Sequence, residues 1–199
     1  MTSPRLTAAL LAAALLGASL PWINGGSASL QPGLLDFAEW LSLLPAIRIN
    51  TPLMLPALFL RLSFLALGLL IALNTPRVTA VWLKGVHLIA LLGIALALLP
   101  PVAFFTGTFD DTNYQQQFAV WLAYLILAPA LLIARRWLPM PALRVAVALV
   151  AVVLSLWGLI WGWRVFLGYA LALRLGTGGV IFSAALLAIA GQALWARGK

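Results

Sequence analysis

One stretch of the chain reads PLMLPALFLRLSFLALGLLIAL, residues 52–73, and it contains a single charged residue, Arg61, in 22 positions. About 20 apolar residues in a helix cross the hydrocarbon core of a bilayer, so this stretch predicts a transmembrane helix. Five other runs have a similar composition and length. The six predicted spans are residues 6–23, 52–73, 85–105, 118–133, 143–163 and 178–195.

The whole chain has the composition of an integral membrane protein. Of its 199 residues, 64% are hydrophobic and 8% are charged, and the mean hydropathy is +1.10. A soluble domain of this size has too little interior to cover so much apolar surface. We therefore predict an all-α fold, a polytopic transmembrane helical bundle. It forms one integral membrane domain over residues 1–199, in the cytoplasmic membrane of a prokaryote.

The distribution of charge predicts the orientation, because cytoplasmic loops of membrane proteins are enriched in Lys and Arg. With both termini in the cytoplasm, all four acidic residues lie outside: Asp36, Glu39, Asp110 and Asp111. Eight of the twelve basic residues then lie inside: Arg5, Arg77, Lys84, Arg135, Arg136, Arg144, Arg197 and Lys199. The inverted topology contradicts the rule in nearly every loop, so we predict that both termini are cytoplasmic.

Composition also argues against several classes of function. The net charge of +8 comes from basic residues scattered at helix ends, where they meet lipid phosphates, so we expect membrane lipids and not nucleic acid as partners. The absence of cysteine excludes disulfides and thiolate chemistry. His87 is the one histidine, and all acids are predicted to lie across the membrane from it. We therefore expect no metal, no cofactor and no catalytic residues, and predict that the protein is not an enzyme.

Three segments between the spans have distinct patterns. Residues 33–44 repeat apolar side chains at a helical period around Asp36 and Glu39, which predicts a short helix in the outer interface between the first two spans. Residues 105–117 are the most polar stretch, and we predict a solvated outer loop that contains Asp110 and Asp111. Residues 165–175 fit either a second interfacial turn or an extension of the fifth span.

Arg61 is the sharpest single feature, because a guanidinium group inside a transmembrane segment costs several kcal/mol unless it has a partner. Asp36 and Glu39 are the candidate partners. One interpretation is an anion or lipid-headgroup site in the outer half of the bundle. The other, which we favour, is a tether that holds the outer segment onto the bundle, or a contact with an outer-leaflet lipid phosphate.

Three tryptophans, Trp157, Trp161 and Trp163, lie near the outer end of the fifth span. Tryptophan commonly forms a belt at the membrane surface, but this tight set also suits stacking on an amphipathic ligand. Combined with Arg61, Asp36 and Glu39, the set predicts a binding pocket for a small molecule or a lipid headgroup in the outer half.

Small residues spaced four apart on the first and last spans indicate close helix packing, because that spacing puts them on one face. The pairs are Ala8 with Ala12, Gly179 with Ser183, and Ala184 with Ala188. Either these faces pack within the bundle or one of them docks another integral membrane subunit.

The size, the six spans and the alanine pairs Ala8 with Ala12 and Ala9 with Ala13 resemble the substrate-binding subunits of energy-coupling-factor vitamin transporters. In that family the alanine stripe docks the transmembrane coupling subunit, so the resemblance implies a transport component. It covers the architecture and this one motif, and no ligand-pocket residue carries over. Our leading hypothesis remains a non-catalytic integral membrane subunit of a transport or energy-transducing complex, and the alternative is a small-molecule or lipid-binding transporter component.

Overall fold

A computed structural model of the protein describes residues 4–25, 31–50, 54–134, 140–169 and 173–195. Within these ranges the chain forms nine α-helices and one two-stranded ladder. The helices are α1 (Pro4–Ser19), α2 (Leu34–Leu43), α3 (Pro45–Asn50), α4 (Leu55–Asn74), α5 (Val81–Leu98), α6 (Val102–Thr106), α7 (Thr112–Ala134), α8 (Met140–Gly168) and α9 (Thr177–Trp195). A 3₁₀ turn, Thr75–Arg77, follows α4.

Five helices, α4, α5, α7, α8 and α9, are long and apolar enough to cross a membrane, and α1 is a shorter apolar helix. The fold is an all-α bundle of the membrane-protein type. α4 is its central helix: 78% of its most apolar 18-residue stretch is buried, whereas only 17% of the corresponding stretches of α5 and α7 is buried. It packs against α1, α2, α5, α7 and α8. The exposed sides of α5 and α7 are apolar, which is expected of helices that face lipid.

Glycines bring α1 and α9 into close contact along one side of the bundle. A Cβ atom on Gly17 would lie 2.6 Å from the backbone nitrogen of Phe182 and 3.0 Å from the carbonyl oxygen of Gly178. Small residues allow this approach, which gives dispersion contacts where lipid supplies no hydrophobic drive. The crossing fixes the first helix to the last.

A short antiparallel ladder extends this contact beyond the helices. β1 (Ile23–Asn24) pairs with β2 (Arg174–Leu175), with Ile23 opposite Leu175. Trp22, next to β1, is fully buried and donates its indole N–H to the carbonyl of Gly17 at 3.0 Å. It therefore belongs to the core and not to a surface belt.

Helix bounds differ from the predicted spans where proline or polar residues intervene. α5 ends at Leu98, and not near residue 105, because Pro100 and Pro101 cannot continue the helix. α7 begins at Thr112, so the second half of the predicted outer loop is helical and that part of the prediction was wrong. α8 continues to Gly168, so residues 165–168 extend the helix of the fifth predicted span, whereas Arg174 and Leu175 at the end of the same segment form β2. Residues 52 and 53 lie outside the described residues.

Candidate functional site: a buried polar network

Arg61 lies in the second turn of α4 and is 2% exposed. Its Nη2 donates to Glu39 Oε2 at 2.9 Å and to Asn113 Oδ1 at 2.6 Å, and its Nη1 donates to Gln116 Oε1 at 3.0 Å. Glu39 comes from α2, whereas Asn113 and Gln116 come from the first turns of α7. One guanidinium group therefore joins three helices.

Glu39 is held from two sides, because the side-chain amide of Asn113 also donates to its two carboxylate oxygens at 3.1 and 3.2 Å. Its side chain is 37% exposed, so one edge of the carboxylate reaches solvent or headgroups. The guanidinium group is therefore buried, whereas the carboxylate group is partly exposed. The guanidinium group of Arg61 therefore has one carboxylate and two side-chain amide oxygens as acceptors within the chain.

Asp111 connects this network to α3. Its Oδ1 accepts the backbone N–H of Asn113 at 2.8 Å, which is the geometry of a helix N-cap on α7. Its Oδ2 pairs with Arg48 Nη2 at 2.7 Å. Burial alone would raise the pKa of the Asp111 carboxyl, but the hydrogen bond from Arg48 and the backbone N–H groups outweigh burial, and the net effect lowers the pKa.

Asp36, the other predicted partner of Arg61, lies on the exposed side of α2. It lines a cavity of about 350 Å³ with Glu39, Arg61, Tyr114 and others. In the described part of the chain, Glu39 is the acid that forms an ion pair with Arg61. Asp36 is therefore a wall of the cavity beside the network and not a member of it.

The three tryptophans do not act as one set. Trp157 and Trp161 are one helical turn apart and line an open groove of about 810 Å³ on α8 with Arg164 at one end. Trp163 faces the other way and packs against the core. Arg61 borders a different cavity, so the residues of the predicted outer pocket are divided among two cavities and the core.

The small-residue pairs also have different surroundings. Gly179 and Ser183 are buried, and a Cβ on Gly179 would lie 3.1 Å from Leu159 of α8. Ala184 and Ala188 are exposed on the side of α9 that faces away from the bundle. Ala8 and Ala12 border a groove between α1 and α5.

Asn113 and Gln116 are the members of the network that the sequence analysis missed. They continue the buried face of α7, on which Val120, Tyr124 and Ala128 follow at helical spacing. Extending that face toward the amino terminus reaches both residues. This periodicity was the available signal, but the polar composition of the stretch obscured it.

His87 is 5% exposed, and its Nδ1 lies 3.2 Å from Thr75 Oγ1, so its side chain is buried among the helices. Among the described residues no cluster of three metal-binding side chains occurs. The predicted cytoplasmic residues Arg135, Arg136, Arg197 and Lys199 lie outside the described residues.

The network is therefore built to hold α2, α4 and α7 together, and two cavities open beside it and on α8. Comparison with known proteins identifies no relative: no family model matches the chain, and neither a curated protein nor a solved structure is significantly similar to it.

Proposed function

We propose that the protein is a non-catalytic integral membrane subunit that packs into a larger assembly of the cytoplasmic membrane, such as a transport or energy-transducing complex. In this proposal the chain crosses the membrane six times with both termini in the cytoplasm. The charge distribution supports that topology. The network of Glu39, Arg61 and Asp111 occupies one end of the bundle, and Arg5, Arg77 and Arg144 line cavities at the other end.

The observation that carries the assembly role is a row of small residues on the side of α9 that faces away from the bundle. Ala184, Ala188 and Gly191 follow at helical spacing and are exposed, and a Cβ on Gly191 would meet nothing within 4 Å. The opposite side of α9 already packs against α1 and α8. A row of this kind suits close approach by a transmembrane helix of another subunit.

The test replaces Ala184 and Ala188 together with leucine and purifies the tagged protein from its native membrane in mild detergent. We expect the wild-type chain to co-purify with other integral membrane proteins. The double variant is expected to lose them at least about tenfold, because bulky side chains prevent the close approach on which helix association in lipid depends.

Ala119→Leu is the matched control, since Ala119 is exposed on α7 and the added volume per site is the same. It is expected to leave the co-purifying proteins unchanged. A wild-type protein that purifies as a stable monomer without companions contradicts the assembly role. If only a homodimer is recovered, the partner at this surface of α9 is a second copy of this chain and not another subunit.

A second candidate function is favoured by the groove on α8, where Trp157, Trp161 and Arg164 combine aromatic walls with one cation. Those groups suit an anionic amphiphile, as expected of a small-molecule or lipid-binding transporter component. Native mass spectrometry separates the two candidates. A bound amphiphile that Trp157→Ala removes supports the binding role, and its absence from the wild-type protein argues against it.

A further inference from the structure

A second buried polar cluster lies at the other end of α4. It comprises Asn74 and Thr75 at the end of that helix, His87 on α5 and Arg144 on α8. Asn74 is 13 residues beyond Arg61, which corresponds to about 20 Å along a helix. The two clusters are therefore separate.

Arg144 is 4% exposed, and its hydrogen-bond partners among the described residues are neutral. Its Nη1 donates to Asn74 Oδ1 at 3.3 Å, and its Nε donates to the carbonyl of Met140 at 3.3 Å. Within the described residues no acidic side chain pairs with it. The four acids of the chain lie on α2 and immediately before α7, where Glu39 and Asp111 already have basic partners.

His87 adds an unsatisfied group to the same cluster. Its Nδ1 is engaged with Thr75, whereas its Nε2 is buried and has no hydrogen-bond partner among the described residues. Arg77 faces the same small cavity as His87 and Arg144. Three nitrogen-bearing side chains, two of them guanidinium groups, therefore converge on this cavity, and no carboxylate lines it among the residues that the structure describes. Burial of the Arg144 guanidinium charge is costly unless an anion compensates it.

The shape of the surrounding space indicates what the anion is attached to. The cavity between Arg77, His87 and Arg144 is about 30 Å³, which is room for one or two oxygen atoms. It adjoins a groove of about 740 Å³ between α1 and α5, and Pro4, Ala8, Val78 and His87 border both. Beyond Arg5 the groove is apolar, with walls that include Leu11, Leu15, Ile71, Leu83 and Val86.

We infer that this end of the bundle binds an anionic phospholipid, with phosphate oxygens at Arg77, His87 and Arg144 and an acyl chain in the groove between α1 and α5. The guanidinium groups supply charge-assisted donors to the phosphate. The His87 tautomer with its proton on Nε2 gains an acceptor for that N–H group. The apolar groove selects a lipid over free phosphate, because a free anion makes no use of those walls. This site is independent of the assembly role proposed for α9.

The experiment adds phosphatidylglycerol, phosphatidylcholine or inorganic phosphate to the delipidated protein in detergent, and measures bound lipid by native mass spectrometry and the melting temperature. Phosphatidylglycerol is expected to bind and to raise the melting temperature. Phosphatidylcholine is not, because its ammonium group would lie beside the same two guanidinium groups, and inorganic phosphate is not, because it has no acyl chain. Arg77→Gln and Arg144→Gln are each expected to weaken its binding about tenfold, which is the typical effect of removing one charged contact to phosphate. Arg77 is exposed, so its variant is expected to fold normally.

Two further variants separate the headgroup from the acyl chain. Ala12→Phe fills the exposed groove and is expected to weaken phosphatidylglycerol binding although both arginines are present. Arg174→Gln, which removes an exposed charge from β2 and leaves every cavity wall unchanged, is expected to change nothing. Equal binding of phosphatidylcholine, or unchanged binding by Arg77→Gln and Arg144→Gln, overturns the site. A melting-temperature rise with inorganic phosphate that Ala12→Phe leaves intact overturns the lipid assignment in favour of a free anion.

Discussion

Replacement of Glu39 with alanine is expected to lower the free energy of unfolding more than replacement of its partner Arg61 with methionine. The reason is the unequal burial of the pair: the side chain of Arg61 is 3% exposed and that of Glu39 is 37% exposed. Without Glu39 the guanidinium charge stays buried with neutral acceptors alone. Breaking a fully buried pair costs about 3–5 kcal/mol. We expect about 2–3 kcal/mol here, because Asn113 and Gln116 still accept hydrogen bonds from Arg61.

Arg61→Met is expected to cost about 1 kcal/mol, since the half-exposed Glu39 carboxylate then hydrates and the methionine fills apolar space. The double variant Glu39→Ala with Arg61→Met should be more stable than Glu39→Ala alone, because no charge is left buried. Unfolding by SDS titration in mixed micelles measures all three. If the two single variants lower the free energy of unfolding equally, or if their effects add strictly in the double variant, the pair of Glu39 and Arg61 is not a tether of this kind.

Gly17→Ala is expected to destabilise the bundle by about 1–3 kcal/mol, the usual cost of added volume at a tight contact. The new methyl group would lie 2.6 Å from the backbone nitrogen of Phe182, and backbone cannot move aside as a flexible side chain does. α1 and α9 must therefore separate. The same titration measures this variant, and release of α1 should also expose the buried indole of Trp22, which is detectable as a fluorescence shift.

Gly93→Ala on α5 is the matched control, because a Cβ there would meet nothing within 4 Å. Alanine has the higher helix propensity, so stability is expected to stay the same or to rise. The two glycine variants thus differ in the sign of their effect. A Gly17→Ala protein as stable as Gly93→Ala would show that the α1 and α9 backbones are farther apart than described.

The helical class and the pairing of Arg61 with Glu39 could be predicted from the sequence, because both rest on strong signals. A long apolar run has few alternatives to a membrane helix. A lone guanidinium within it requires a partner, and acids are scarce in this chain. Asn113 and Gln116 carried no such signal, because neutral amides are as common in solvated loops as in buried networks.

The opposite end was harder to predict for a different reason. His87 and Arg144 are far apart in sequence and lie near predicted span ends, where basic residues normally contact lipid headgroups. Their burial depends on how α4, α5 and α8 pack, which no local pattern reveals. Trp22 is a similar case: it lies at the end of the first predicted span, where tryptophan is usually at the membrane surface, but its ring packs against Phe182 of α9 and is fully buried.

In the proposed topology the carboxylates lie on the outer face of the membrane, across from the two termini. The direct measurement is Thr112→Cys in the chain, which has no native cysteine, labelled in intact cells with a membrane-impermeant maleimide. Thr112 is exposed at the start of α7, next to Asp111. We predict that the thiol is labelled before lysis. Labelling that occurs only after lysis contradicts the proposed topology.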